Sequence, residues 1–283
     1  MPPKKRRVKK RKNKRHIIFV LFLVVVCIFL FFEESGKDNT RNFLPGIFKA
    51  GPKAKHIPSK KAPSGGLLKV SIVMDDLGPN KSKAETVLAI KAPLTLSILP
   101  HETYSVWIAE EGHRLGHDII AHVPMEAITP HKLGKGALQT WMTDSEITDT
   151  LSGDIRSIPH ISGISNHMGS AFTKDERAMR AFFSELKKYR LFFLDSVTIS
   201  ESKGYRLAKE EGLAALRRDV FLDNKDDLHE IEVQWKRLLK ISREKGYAIA
   251  LAHPRKKTLE FLQKKLENNK EVTVVPITEL ITD

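Results

Sequence analysis

The sequence predicts an α/β fold for residues 67–283, most simply an irregular (β/α) barrel of seven or eight units. From Leu67 onward, short apolar runs alternate with amphipathic segments of helical length. This alternation is typical of parallel strands joined by helices. The number of units in this length matches a small barrel of parallel strands. An open, doubly wound parallel sheet is the alternative architecture.

The first half of this region contains four predicted strand and helix pairs. Apolar runs predict strands at 68–74, 94–99, 119–123 and 161–165. The amphipathic segments that follow them predict helices near 81–90, 105–115, 145–155 and 174–189.

The second half continues the alternation with less regular spacing. A short strand is predicted at 191–194, and the segment 202–221 forms a weaker unit. A long amphipathic helix is predicted over 226–245 and a shorter one over 258–267. The last two apolar runs predict strands at 248–252 and 272–275.

The first 66 residues predict a membrane anchor. Ten of residues 1–15 are Lys or Arg, and residues 17–32 form an unbroken apolar run. We predict a basic cytoplasmic tail at 1–15, a transmembrane helix at 16–33 and a flexible linker rich in Lys, Pro, Ser and Gly at 34–66. The positive-inside rule then places the main domain outside the cytoplasm, on a single-pass protein of the cell inner membrane. A cleaved signal peptide is the alternative, but no small-residue cleavage pattern follows Phe32.

Charge and cysteine content narrow the possible ligands. Of the formal charge of +14, +10 lies in residues 1–15, so the rest of the chain is only mildly basic. We therefore expect no nucleic-acid partner, and expect the membrane to be contacted through the N-terminal helix. The single cysteine, Cys27, lies in the apolar run, so a metal bound by the main domain must use His, Asp or Glu.

Chemically reactive side chains follow six short apolar runs, which end at positions 74, 121, 165, 194, 222 and 252. Each of these residues alone is often only a helix cap or a hydrogen-bonded side chain. In a parallel α/β fold, however, the carboxyl ends of the strands meet at one face, where active sites lie. Burying carboxylates there costs free energy unless a cation binds them, which indicates a site for a divalent metal ion. The residues are Asp75, Asp76, His122, Asn166, His167, Asp195, Asp223 and His253.

Six short segments resemble motifs of the divergent polysaccharide deacetylase family, in order and over residues 67–281. They are 75–78 (Asp-Asp-Leu-Gly), 94–100 (Leu-Thr-Leu-Ser-Ile-Leu-Pro), 122–126 (His-Val-Pro-Met-Glu), 166–170 (Asn-His-Met-Gly-Ser), 193–196 (Phe-Leu-Asp-Ser) and 252–254 (Ala-His-Pro). The resemblance implies a metal-dependent hydrolase that removes N-acetyl or related acyl groups from a cell-envelope polysaccharide.

The resemblance also implies roles for individual residues. Asp75 would be the general base, and Asp76, with two histidines, would bind one divalent metal ion, for which zinc is the favoured identity. His253 would donate a proton to the leaving amine, and Asp195 would orient or tune it. The two histidines in this ligand set are His122 and His167.

The chain departs from the usual deacetylase pattern at two motifs. His122 is followed four residues later by Glu126 instead of a second histidine, and the usual arginine-containing third motif is replaced by residues 166–170. Glu126 is a candidate ligand, a partner of a ligand, or a helix-start carboxylate. Two alternative functions follow: a non-catalytic protein that binds glycan or an envelope partner in the same cleft, and a metal-dependent hydrolase of another amide or ester.

Overall fold

The structure is a computed structural model that describes residues 66–267 and 269–281. The predicted cytoplasmic tail, the transmembrane helix and residues 34–65 of the linker lie outside the described residues. Among the helices that the structure describes, none has both the length and the apolarity to cross a bilayer.

Within the described residues, nine parallel strands form one sheet, and helices connect most of them. The strands are β1 (Leu68–Leu77), β2 (Thr95–Ile98), β3 (Asp118–Met125), β4 (Ile161–Met168), β5 (Phe192–Asp195), β6 (Ala215–Arg217), β7 (Val220–Phe221), β8 (Ala248–Ala252) and β9 (Val272–Val274). The helices are α1 (Lys81–Leu88), α2 (Ser105–Arg114), α3 (Asp144–Arg156), α4 (Glu176–Tyr189), α5 (Gly204–Glu210), α6 (Leu228–Lys245) and α7 (Lys256–Glu267). Two 3₁₀ turns cover Phe172–Lys174 and Ile277–Leu280.

The strand order defines a parallel half-barrel. Hydrogen-bonded neighbours run in the order β6-β5-β4-β3-β2-β1-β8-β7, and β9 also pairs with β1. The chain therefore advances in one direction from β1 to β6, and β8 lies on the other side of β1, with β7 outside it. This is the order of a barrel, in which the last strand returns to the first. In a doubly wound sheet, the strand that follows the crossover would lie beside β1 instead. No ladder joins β6 to β7 within the described residues. The predicted α/β class and parallel sheet are confirmed.

The sheet buries apolar side chains on both of its faces. Successive residues of a strand point to opposite faces. In β1, Ile72 and Met74 accordingly join the larger apolar cluster, which includes the helices, while Val73 joins a smaller cluster with Leu194 and Leu251. Both faces of β1 are thus covered, as expected for a strand in a parallel sheet.

The C-terminal segment covers the amino ends of the strands. Ile277 belongs to the smaller apolar cluster, and its backbone N–H donates to Thr95 Oγ1 at the start of β2 over 3.1 Å. Thr278 donates from its N–H and its hydroxyl to Asp118, the first residue of β3. The C-terminal segment therefore lies against the amino ends of β2 and β3, at the end of the sheet opposite to the carboxyl ends of these strands.

Local sequence signals set the ends of several helices. Thr143 and Glu146 form a reciprocal capping box at the start of α3. Asp227 accepts hydrogen bonds from two backbone N–H groups at the start of α6, and that helix ends at Gly246 with φ of 93°. The weak unit at 202–221 contains α5 and the two short strands β6 and β7, which explains why its pattern is faint.

A buried acid in α3 gives a prediction about stability. Asp154 is fully buried, accepts or donates a hydrogen bond with His101 Nε2 over 2.9 Å, and has a second oxygen without a hydrogen-bond partner among the described residues. Burial raises the pKa of its carboxyl to about 8. In the unfolded chain this pKa is about 3.9, so folding retains a proton that unfolding releases, and stability falls as pH rises between the two values.

We expect Asp154→Asn to remove this pH dependence, because an amide has no proton to lose. As the pH rises from 5 to 8, the free energy of unfolding of the variant should increase relative to that of the wild type, by at most about 1.4 kcal/mol for each unit of the pKa shift. Urea unfolding of both proteins at the two pH values measures the difference. Parallel stability curves would contradict the prediction.

Candidate active site and metal centre

A β-bulge brings two neighbouring carboxylates to the same face of the sheet. In the pairing of β1 with β2, Met74 aligns with Leu96 and Leu77 with Ile98, so two residues of β1 oppose one residue of β2. The two residues of β1 in the bulge are Asp75 and Asp76, which lie opposite Ser97 alone, and Asp76 adopts a φ of 59°. A regular strand would send them to opposite faces, whereas a bulge redirects one side chain. Both carboxylates therefore point towards the carboxyl ends of the strands.

Three side chains place ligand atoms at the spacing of a metal site. Asp76 Oδ1 lies 2.9 Å from His167 Nδ1 and 3.2 Å from His122 Nε2, and the two nitrogens are 3.3 Å apart. Ligands at about 2.1 Å from an ion and at tetrahedral angles are about 3.4 Å apart. Two imidazoles and one carboxylate also form a common donor set for zinc. The residues present therefore fit a small divalent cation, and the structure brings together the three predicted ligands.

A buried chain of hydroxyl groups supports His122 from behind. The Nδ1 atom of His122 is 2.7 Å from Ser165 Oγ, which is 2.8 Å from Ser97 Oγ. Ser97 also acts to lower the pKa of the Asp75 carboxyl. A histidine that binds metal through one nitrogen commonly uses the other for such a bond, which fixes the orientation of the ring. Neither serine was singled out by the sequence, because a serine within an apolar run carries no distinctive signal.

The general base predicted from the sequence lies beside this ligand set. Asp75 is 1% exposed, and its Oδ1 is 3.7 Å from His122 Nδ1. Burial raises the pKa of its carboxyl, although His122, His253 and Ser97 oppose that shift. For Asp76 the balance is reversed: burial would raise its pKa, but hydrogen bonds and charge from His122 and His167 lower it overall. The pKa of Asp75 is thus raised and the pKa of Asp76 is lowered. This difference is expected if Asp75 accepts a proton and Asp76 binds a metal ion.

His253 faces the same centre from β8, with a carboxylate behind it. Its Nε2 atom lies 3.8 Å from Asp76 Oδ2, and its Nδ1 atom lies 2.8 Å from Asp223 Oδ1. Asp223 is fully buried and also accepts hydrogen bonds from the His253 N–H and from Thr258. Burial alone would lower the pKa of His253, but Asp223, followed by Asp75 and Asp76, raises it. This histidine is therefore suited to hold a proton.

The structure corrects the expected partner of His253. Asp195 uses one oxygen to accept the Val197 N–H and the other to accept Ser202 Oγ and Tyr205 N–H, so it fixes the turn that follows β5. The carboxylate bound to His253 is Asp223 instead. Strand register explains this choice, because β7 pairs with β8 through Phe221 and Leu251, and both Asp223 and His253 lie two residues beyond that pair.

Glu126 has a structural contact that none of the three sequence-based alternatives described. Its Oε2 atom accepts hydrogen bonds from Thr140 N and Thr140 Oγ1, both at 2.6 Å. The Glu126 N–H donates to Leu138 O, and the Glu126 carbonyl accepts from Ala171 N–H. Glu126 therefore secures the loop between β3 and α3 at the edge of the site, and its carboxylate is used by that loop.

A cavity of about 260 Å³ opens beside the candidate metal centre. Polar groups from Asp75, His122, His167 and His253 share its walls with the apolar side chains of Met168 and other residues. The Phe221 ring stacks near His253, with ring centroids 6.1 Å apart. A cavity with a few convergent polar groups and partly apolar walls is typical of a site that binds a small organic group.

Fold and site together define the class of protein: a parallel α/β protein that groups one aspartate and two histidines able to hold a metal ion, with a second aspartate and a third histidine, at the carboxyl ends of its strands. Residues 72–281 match the family described as divergent polysaccharide deacetylase. The chain belongs to that family.

Two uncharacterized proteins are similar to this chain in sequence, and one solved structure shares its fold. YibQ, an uncharacterized protein of Escherichia coli K12, is 32% identical over 216 residues, which cover 76% of this chain and 68% of YibQ. An uncharacterized protein of Haemophilus influenzae Rd is 33% identical over 200 residues, covering 71% of each chain. The crystal structure of an uncharacterized protein from Agrobacterium tumefaciens C58 has the same fold, with a TM-score of 0.73, 21% identity and coverage of 78% of this chain and 92% of that one.

Proposed function

We propose that this protein is a metal-dependent hydrolase that removes N-acetyl or related acyl groups from a cell-envelope carbohydrate. The observation that carries the proposal is the spacing of Asp76 Oδ1, His122 Nε2 and His167 Nδ1 at 2.9 to 3.3 Å, with Asp75 and His253 beside them. Membership of the divergent polysaccharide deacetylase family supports the carbohydrate substrate.

Different residues of the site carry out different steps of the proposed reaction. A divalent ion held by the three ligands, with zinc as our proposal for its identity, would supply Lewis-acid activation of water and of an amide carbonyl. Asp75 accepts the proton of the attacking water, and the raised pKa of its carboxyl brings it closer to the working pH of a base. His253, kept protonated by Asp223, donates from Nε2 to the leaving amine. The apolar wall around Met168 accommodates the acyl group.

The predicted N-terminal anchor sets the place of this reaction in the proposal. A transmembrane helix at 16–33 behind a basic tail would hold the domain on the extracytoplasmic side of the cell inner membrane, where envelope carbohydrate is found. The linker at 34–66 would let the domain reach a polymer beyond the membrane surface.

Release of acetate tests the proposed activity. We expect the full-length protein, loaded with zinc, to release acetate from N-acetylated envelope saccharides and from chitooligosaccharides, and a chelator to stop the release. Acetylated peptides and simple esters, offered in parallel, test whether the substrate is another amide or ester. Saccharide binding without acetate release from any metal-loaded sample would instead support a non-catalytic glycan-binding protein.

A further inference from the structure

A second cavity meets the reaction centre on its other side. It has a volume of about 210 Å³ and shares Asp76 and His253 with the site described above. Its remaining walls come from the start of α1 and from the segment before α7, and they include Lys83 and Arg255. A part of the substrate that enters this cavity would therefore lie beside two basic side chains.

These two basic side chains have no carboxylate partner in the part of the chain that the structure describes. Neither Lys83 nor Arg255 forms an ion pair within residues 66–267 and 269–281. Many other cations of the surface are paired, for example Arg177 with Asp144 and Lys187 with Glu211. The acid that lines the cavity, Asp76, is already engaged by two histidines. The cavity therefore has an excess of positive charge available to a ligand.

Arg255 is held in a fixed relation to the reacting groups. Its Nη1 atom donates to the carbonyl oxygen of Asp223 over 2.6 Å, and its backbone N–H donates to the His253 carbonyl over 2.7 Å. Asp223 is the residue that positions the His253 ring. A guanidinium group has five N–H donors, so the bond to one carbonyl leaves others for an anion. Lys83 adds an ammonium group that binds anions as a point charge.

We infer that this second cavity is an anion subsite and that the substrate carries a carboxylate or a phosphate group beside the group that is cleaved. Arginine binds both of these anions through paired N–H donors, and lysine binds them without a directional requirement. This inference rests on the proposed function for its link to a substrate, but the subsite itself is defined by Lys83 and Arg255. It narrows the substrate class from carbohydrates in general to acidic carbohydrates.

Equilibrium binding to the full-length protein tests the subsite without any need for turnover. The probes are D-glucuronate for a carboxylate, D-glucose 6-phosphate for a phosphate and D-glucose as the uncharged control, each titrated and followed by NMR. We expect one or both acidic sugars to bind more tightly than glucose, and we expect Lys83→Ala and Arg255→Gln each to weaken that binding about tenfold. The ratio of the two affinities shows which anion is preferred.

Lys81→Ala is the matched control, because Lys81 lies in the same helical turn but packs over the Trp107 ring at 4.8 Å and pairs with Glu85. We expect it to leave acidic sugar binding unchanged. If Arg255→Gln does not fold, Lys83→Ala alone decides the question. Acidic sugars that bind no better than glucose, or binding that survives both substitutions, would overturn the inference. A protein that binds acidic sugars but releases no acetate would retain the subsite and lose the proposed activity.

Discussion

Replacing Asp76 with asparagine is expected to lower metal affinity by more than 100-fold and to abolish hydrolysis. Loss of a residue that merely supports a ligand typically costs 10 to 100-fold in metal affinity, and Asp76 contributes the oxygen that lies within 3.2 Å of both histidine nitrogens. Asparagine is the sharpest substitution, because it tolerates the φ of 59° that Asp76 adopts in the bulge. Calorimetric titration of the full-length protein with zinc measures the change.

Asp75→Asn is the matched control for this experiment. It changes the neighbouring carboxylate by the same chemistry, so it separates the ligand from the proton acceptor. We expect the variant to bind zinc with an affinity close to that of the wild type, and to lose activity by roughly 100-fold or more, as removal of a general base does. Equal loss of metal binding in both variants would contradict the division of roles between the two aspartates.

Replacing Asp223 with asparagine is expected to lower kcat about 100-fold near neutral pH and to move the alkaline limb of the rate profile to lower pH. Asp223 raises the pKa of His253, and the proposed proton donor must be protonated to act. Without the negative charge, His253 loses its proton at a lower pH, so the falling limb shifts down. The acidic limb, which reports Asp75, should stay nearly in place. A pH series of kcat for metal-loaded wild type and variant measures both limbs.

Asp195→Asn tests which aspartate acts on His253: Asp223, which contacts it in the structure, or Asp195, which the sequence analysis assigned to it. Asp195 holds the turn after β5 through Val197, Ser202 and Tyr205. We therefore expect the substitution to lower thermal stability and to leave the alkaline limb where it is in the wild type. A downward shift of that limb in the Asp195 variant, with none in the Asp223 variant, would restore the original pairing.

The elements of the fold were predictable because their signals are local. The apolar run at 248–252 coincides with β8, and the amphipathic segment at 226–245 with α6, Leu228–Lys245. Burial on both faces of a parallel strand leaves a continuous apolar run that the sequence displays directly. Whether the sheet closes into a barrel could not be predicted in this way, since closure depends on which strands pair. No residue type in the sequence indicates that β6 and β7 do not pair within the described residues.

The site was predictable in its residue types and less so in its contacts. Six strand ends carried reactive residues, and the structure gathers most of them at one face. Asp195 and Asp223 both follow apolar runs, and only the register between β7 and β8 distinguishes the one that meets His253. Glu126 likewise accepts a hydrogen bond from Thr140 across a loop that has no periodic pattern. Long-range pairing of this kind is a property of the folded chain, and a single sequence does not display it.

The bulge at Asp75 and Asp76 has a consequence for anyone who wishes to move this chemistry to another protein. Copying the five reactive side chains onto the strands of a regular parallel sheet would not reproduce the site, because one aspartate of the pair would turn away from the others. The inserted residue in β1 and the positive φ that follows from it must be copied too. The transferable unit is thus a backbone irregularity together with its side chains, and a designer would begin from the shape of one strand.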